Sequence, residues 1–210
     1  MEDASVSGLE AAAKTLRGGG LVAFPTETFY GIGADPFNKA ALQRLFSLKK
    51  RPSKKPFPLI IKDMEMLSGL VESVPLSAAR LIEKFWPGPL TIIFNAKDAT
   101  GAEPAGSARV GLRISRGEVC KRLMEKLNFP VTATSANPAG KPPARSAAEV
   151  LEYFNGRVDL VIDGGRLEGA RPSTVVDVTG EDVEVLREGA VPSRDIFDAL
   201  KSRPRPRDKE

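Results

Sequence analysis

Apolar positions along this chain follow two rhythms that alternate from end to end. Residues 5–17 place Leu9, Ala12, Ala13 and Leu16 at helical spacing, and Gly18-Gly19-Gly20 stops the helix. Leu21-Val22-Ala23-Phe24 is a short continuous apolar run, the pattern of a strand buried on both faces, and Pro25 ends it. Thr26 to Gly33 then reads as a hydroxyl-rich connection into the next helix. Asn38 caps that helix, which runs to about residue 48 on Ala41, Leu42, Leu45, Phe46 and Leu48.

The rhythm repeats. Residues 58–62 read as a strand, 63–71 and 76–85 as helices parted by Pro75, and 90–94 as a β-branched strand. Residues 96–107 are small and polar and read as a mobile loop. A strand at 110–114, a helix at 117–127 and a strand at 131–134 follow. A helix over about 146–154 leads to a strand at 160–162. Strands at 174–178 and 183–186 are joined around Gly180, and a short helix covers about 193–201. Strands alternating with helices predict an α/β fold. The last two strands are too close for a helical crossover, so the sheet should be mixed.

Composition narrows the class. The chain has 210 residues, 41% hydrophobic and 28% charged, which suits one globular domain over 1–200 with a short appendage. No stretch approaches the roughly 18 apolar residues of a membrane span. The acidic start, Met1-Glu2-Asp3, lacks the basic and apolar parts of a signal peptide. One cysteine, Cys120, forms no intrachain disulfide and points to a reducing, cytoplasmic setting. There is no histidine. That excludes a Ser–His–Asp or Cys–His arrangement and makes a zinc enzyme a poor fit.

Charge is concentrated. The net charge is +4, but Lys201 to Glu210 hold five cations and two acids, leaving +1 for residues 1–200. With Pro204 and Pro206, those last ten residues read as a disordered basic tail. Within the body, Lys49 to Lys55 packs five cations into seven residues with no acid. A solvated loop is the plain reading of such a run. A local anion site is the sharper one, with Arg51 as a bidentate fork and Lys49 and Lys55 as point charges. Lys50 and Lys54 read as solvated.

Other segments are costly to explain as scaffold. Thr26, Glu27, Thr28 and Tyr30 follow a buried strand, where ligand crevices of open α/β sheets lie. Ser135 and Asn137 also follow a strand. Arg113 lies within an apolar strand and Arg187 ends another. A strand-interior arginine needs either a protein acid or an anionic ligand as partner. Trp86, in Phe85-Trp86-Pro87-Gly88-Pro89, reads as an aromatic packed under a rigid turn. No Gly-x-x-x-x-Gly-Lys phosphate loop is present, and Gly31-x-Gly33 is too short for a dinucleotide fingerprint.

Taken together, these segments resemble the YrdC/TsaC family of L-threonylcarbamoyladenylate synthases. Pro25-Thr-Glu-Thr-Phe-Tyr-Gly-Ile-Gly33 resembles its Pro-Thr-[Asp/Glu]-Thr-x-Tyr-Gly-Leu-Gly motif, and Lys49-Lys-Arg51-Pro52 its Lys-x-Arg-Pro motif. Phe85-Trp-Pro-Gly-Pro-Leu-Thr91, Ser135-Ala-Asn137, Ser173-Thr-Val-Val-Asp177 and Leu186-Arg-x-Gly-Ala190 follow in the family's order. The resemblance implies an open, twisted, mixed α/β sheet with flanking helices and a concave basic cavity. It implies a nucleotidyltransferase that joins L-threonine, bicarbonate (as CO₂) and ATP into threonylcarbamoyl-AMP, releasing pyrophosphate. The product would serve N6-threonylcarbamoyladenosine modification at tRNA position 37, through a downstream threonylcarbamoyl transferase machinery.

By the same resemblance, Lys49, Arg51, Lys55, Ser135, Asn137 and Arg187 match ATP-contacting positions, with Lys49 and Arg51 the candidate catalytic residues. Thr28, Arg113 and Ser173 match threonine-contacting positions, Arg113 pairing with the threonine carboxylate. Tyr30 would close the pocket. Mg²⁺ would come with the ATP phosphates, with no protein metal ligand, and no general base is assigned. The chemistry suits a protein without histidine, because the charge to be stabilised lies on a triphosphate. The chain departs from the family twice. Some relatives carry a histidine where this chain has Ile60, which implies an altered side of the threonine pocket or an altered specificity. The chain also stops after a short helix and tail, as the family's short form does. The alternative is a non-synthase paralogue of this fold that binds RNA or another nucleotide, the cationic loop and tail contacting RNA phosphates.

Overall fold

The computed structural model describes residues 1–50, 57–97, 108–168 and 171–201. Helix α1, Val6–Arg17, starts where the Ser5 side chain accepts from the Gly8 amide and buries Leu9, Ala12, Ala13 and Leu16, the four positions its periodicity marks. Each fully buried leucine contributes about 1.5–3 kcal/mol by leaving water. Strand β2, Val22–Pro25, is buried at every position. Its two faces meet different cores: Ala23 packs with helix residues Ala41 and Leu45, and Val22 and Phe24 pack with Leu9 and Leu16.

The connection expected after Pro25 differs from the structure. Tyr30–Gly33 is a strand, β3, paired antiparallel with β2 so that Pro25 faces Tyr30 and Val22 faces Gly33. The turn between them is closed by Thr26, whose amide and hydroxyl both donate to the Phe29 carbonyl. Two glycines in four residues hide the strand rhythm, since glycine carries no side chain to alternate. Helix α2, Lys39–Lys49, is capped by the Asn38 side chain on the Ala41 amide and ends at Lys50, an exposed residue at φ 47°.

Strand β4 is Leu59–Ile60, and helices α3, Met64–Leu70, and α4, Leu76–Phe85, follow. The remaining elements are β5 (Leu90–Asn95), β6 (Arg109–Arg113), α5 (Glu118–Glu125), β7 (Val131–Thr132), β8 (Thr134–Ser135), α6 (Ala147–Phe154), β9 (Leu160–Asp163), β10 (Thr174–Asp177), β11 (Glu184–Arg187) and α7 (Ser193–Lys201). A two-residue strand at Glu2–Asp3, β1, lies parallel to β9.

The class is α/β with mixed pairing, as the pattern requires, but the strands divide between two sheets. One runs β1-β9-β2-β3-β8 and the other β11-β10-β5-β6-β4-β7. The stretch 131–134, one strand by its apolar run, is where the chain changes sheet. Val131–Thr132 pairs antiparallel with β4 and Thr134–Ser135 with β3. Between them the Ala133 amide donates to the Pro58 carbonyl at 2.8 Å. A third core joins the sheets. Val22, Phe24 and Ile162 from the first meet Ile60 and Val131 from the second, under α1 and α5. Trp86 is buried and its indole N–H donates to the Leu90 carbonyl at 2.7 Å, so the packed-aromatic reading holds. The loop residues 98–107 and the tail residues 202–210 lie outside the described residues.

Candidate functional site

The two sheets leave a cavity of about 630 Å³ between them. Its floor is one face of the second sheet. Because strand positions alternate in facing, Thr91 and Ile93 of β5, Arg109, Gly111 and Arg113 of β6, and Val175 and Asp177 of β10 share this face. The opposite wall is the β2–β3 turn with Thr26 and Thr28, the Tyr30 ring, and Ser135 on β8. Ser173 and Arg187 close one end. Of the residues singled out in the sequence, Thr28, Tyr30, Arg113, Ser135, Ser173 and Arg187 therefore meet around one cavity.

Three arginines border it, in different electrostatic states. Arg113 is buried, and its Nη1 donates to Glu27 Oε1 at 2.9 Å, with side-chain exposures of 8% and 5%. The other Glu27 oxygen accepts from the Ser115 hydroxyl. The partner that the sequence left between a protein acid and the threonine carboxylate is, in the folded chain, Glu27. Arg109 Nη1 donates to Asp177 Oδ2 at 2.9 Å, and Asp177 Oδ1 accepts from the amide and hydroxyl of Thr179. Arg187 pairs with no acid among the described residues. Its Nε and Nη2 donate to the Ser173 carbonyl at 3.2 and 2.8 Å, and Nη2 also reaches Ser173 Oγ at 3.2 Å.

Burial, and then the neighbouring charge of Arg113, pull the Arg187 pKa below its ordinary value. A guanidinium still keeps its proton at neutral pH. Two of the three arginines are thus neutralised by protein carboxylates, and Arg187 carries the surplus charge. A concave site with a guanidinium that no acid balances is suited to an anion.

Hydroxyls ring the same space. Ser173 Oγ and Thr91 Oγ1 are 3.1 Å apart, as are Thr26 Oγ1 and Thr28 Oγ1. Tyr30 is wholly buried; its hydroxyl donates to the Gly165 carbonyl at 2.8 Å and accepts from the Gly164 amide. Burial raises its pKa. Its hydroxyl is bonded to backbone on both sides, and the residue lines the cavity.

Beside the cavity, Lys49 gathers the 135–137 loop. Its Nζ donates to the Ser135 carbonyl at 2.7 Å and to the Asn137 carbonyl, with Asn137 Oδ1 at 3.3 Å. Ser135 Oγ donates to that same Oδ1 at 2.6 Å, and Asn137 Nδ2 donates to the Lys141 carbonyl at 2.6 Å. Lys49, Ser135 and Asn137 thus come together, although only Ser135 lines the cavity bounded by the described residues. Arg51 and Lys55, with Lys54, lie outside those residues.

The expectation that Ile60 forms one side of the pocket is corrected. Its side chain is fully buried in the core under α1 and α5 and does not line the cavity, because Leu59 and Ile60 face opposite sides of β4. Four residues of these ion-pair networks were not singled out with a role from the sequence: Arg109 and Asp177, which line the cavity, and Glu27 and Ser115, which do not. Glu27 and Asp177 lie inside the quoted motifs, but nothing local marks them as ion-pair partners of residues 86 and 68 positions away. Among the described residues, no group of three or more Asp, Glu, Cys or His side chains could hold a metal ion. No helix among them is long and apolar enough to cross a membrane.

Residues 14–189 match the Sua5/YciO/YrdC family, described as "Telomere recombination". The chain belongs to that family. Among its relatives, the threonylcarbamoyl-AMP synthase of Pyrococcus abyssi is 38% identical over 186 residues, covering 88% of this chain and 55% of the relative. The threonylcarbamoyl-AMP synthase of Marinobacter nauticus is 33% identical over 178 residues, covering 82% of this chain and 93% of the relative. The crystal structure of P. abyssi Sua5 complexed with L-threonine superposes with a TM-score of 0.86 at 36% identity, covering 92% of this chain and 57% of that one. The chain therefore spans about half the length of the Pyrococcus proteins and nearly the whole of the Marinobacter relative.

Proposed function

We propose that this chain is an L-threonylcarbamoyladenylate synthase acting in the cytoplasm. The observation that carries the reading is the cavity end where Arg187 holds both polar groups of Ser173 and keeps a surplus positive charge beside Arg113. Such an end fits a substrate that brings a carboxylate together with a polyanion. Similarity to a Sua5 that binds L-threonine and to two threonylcarbamoyl-AMP synthases supports the same assignment.

In this reading the threonine amine adds CO₂, releases a proton to solvent or phosphate, and becomes a carbamate. A carbamate oxygen forms a bond to the α-phosphorus of ATP. The bond from that phosphorus to the bridging oxygen breaks, and pyrophosphate leaves with the electron pair. Arg113 and Ser173 orient the threonine carboxylate, with Thr28 at its side. Arg187 spans the two substrates. Lys49, through Ser135 and Asn137, shapes the nucleotide side, and Arg51 and Lys55 supply further cations to the phosphates. Cations fixed in a partly dry cavity stabilise the in-line displacement without rearranging. A magnesium ion accompanying ATP would be held by phosphate oxygens. The product passes to a threonylcarbamoyl transferase acting on tRNA.

The test is pyrophosphate release from ATP, measured with threonine and bicarbonate each omitted in turn. Release that requires both, with threonylcarbamoyl-AMP detected by mass spectrometry, is expected. Release indifferent to threonine overturns the reading. Nucleic-acid binding that falls steeply with salt, without any release, would favour the RNA-binding alternative.

A further inference from the structure

The Glu27–Arg113 pair does more than balance charge, and its surroundings say what. Glu27 sits in the turn between β2 and β3, in the first sheet, while Arg113 ends β6 in the second. Glu27 does not line the cavity, whereas Arg113 does. The carboxylate therefore lies behind the arginine as seen from the ligand space.

Both of its oxygens are spoken for. Arg113 Nη1 takes one at 2.9 Å, and the Ser115 hydroxyl donates to the other. That hydroxyl in turn accepts from the Gly117 amide at 3.2 Å. The relay is held at close quarters. A Cβ on Gly117 would stand 2.9 Å from both the Glu27 nitrogen and the Thr26 carbonyl carbon, so only glycine lets the 115–117 loop lie flush on the turn. On the arginine side, Nη1 alone among the side-chain nitrogens has a hydrogen-bond partner among the described residues. The rest of the fork is unspent, on a residue that faces the cavity.

A buried ion pair is weak evidence of stabilisation, since apolar residues of similar volume often serve as well. An arginine fixed at one nitrogen and unspent at the others is suited to bidentate recognition of a planar carboxylate. We infer that Glu27 is a positioning residue for amino-acid recognition. Held by Ser115, it sets the Arg113 guanidinium at the angle at which its remaining donors meet the carboxylate of the substrate. This rests on the proposed function for the identity of that substrate. It assigns Glu27 and Ser115 an action through Arg113, with no contact to substrate.

The experiment is calorimetric titration of threonine and, separately, of a non-hydrolysable ATP analogue into the unmodified chain and its variants. Glu27→Ala weakens threonine binding at least about tenfold, the scale of one lost charge-assisted hydrogen bond, and leaves nucleotide binding within about threefold. Glu27→Gln keeps a carbonyl to accept from Nη1 and restores threonine affinity to within about threefold of the unmodified chain. Glu27→Ala adds no further loss in an Arg113→Ala background, because the two act in series.

Charge balance alone predicts no rescue, with Gln as damaging as Ala. That result overturns the inference, as does equal weakening of threonine and nucleotide, or threonine binding that Glu27→Ala leaves intact. Should Glu27→Ala fail to fold by circular dichroism, Ser115→Ala decides. It frees the second carboxylate oxygen and the Gly117 amide and should weaken threonine binding about threefold, and no change refutes the relay. Absence of threonine binding to the unmodified chain overturns the functional reading, and the role of Glu27 with it. Binding that only the variants fail to alter overturns the role of Glu27 alone.

Discussion

Thr174→Val tests whether one buried hydroxyl holds the arginine end of the cavity in place. Thr174 is fully buried at the start of β10, next to Ser173. Its hydroxyl donates to the Val191 carbonyl and accepts from the amides of Gly189, at 2.9 Å, and Val191, at 3.1 Å. It thereby pins the segment after β11 against β10. Gly189 lies so close that a Cβ there would stand 2.2 Å from the Pro172 carbonyl oxygen, and the Ala190 amide donates to that oxygen at 2.8 Å.

Valine nearly preserves the shape but strands two amides and takes the donor from the Val191 carbonyl in a dry place. Each unsatisfied buried group costs about 1–3 kcal/mol, and the added methyl recovers part of that. A net loss of about 2–4 kcal/mol follows, or about 4–16 °C in Tm for a chain of this size. Urea denaturation with an unchanged m-value is the measurement. Under the proposed function, threonine affinity should fall as well, because the same segment carries Arg187 beside Ser173. A loss below about 1 kcal/mol would refute the reasoning, since it would mean that water or relaxation satisfies both amides.

Two further outcomes follow from titratable groups. Burial alone would raise the Asp159 pKa, but the hydrogen bond and charge of Arg44 and the Leu21 amide outweigh it, and the carboxyl lies below its ordinary value. A carboxyl depressed in the folded state contributes stability that is present above about pH 4 and is lost as pH falls through the folded value. The stability gap between the unmodified chain and Asp159→Asn, followed by thermal melts, should narrow below about pH 4; a gap constant with pH contradicts this. Burial pushes the Cys120 thiol up to about 12. Iodoacetamide should alkylate it far more slowly in the native chain than in urea at mildly alkaline pH, and equal rates would show the thiol to be accessible.

What the sequence determined by itself is local. The helices were legible because amphipathic spacing and end signals are short-range: Leu9, Ala12, Ala13 and Leu16 repeat within one helix, and Ser5 and Asn38 cap within three residues of the amides they accept from. Several residues that line the cavity were legible for a related reason. Thr28, Arg113, Ser135, Ser173 and Arg187 sit at or beside strand ends, where an α/β sheet opens its crevice.

Pairing across distance was decided only by the tertiary structure. β3 is a strand because β2 and β8 lie on either side of it, not because Tyr-Gly-Ile-Gly reads as one. Residues 131–135 change sheet at Ala133 because β4 and β3 belong to different layers. The same holds for charge. Arg113 had to find an anion, but a strand pattern does not say whether it is a protein acid or a ligand. Closing the β2–β3 turn on β6 brings Glu27 to it from 86 residues away. That leaves Arg187 as the one of the three cavity arginines whose charge no acid among the described residues cancels. Hydrophobic period and capping are properties of a few successive residues, whereas the electrostatics of a cavity depend on which distant side chains the fold sets face to face.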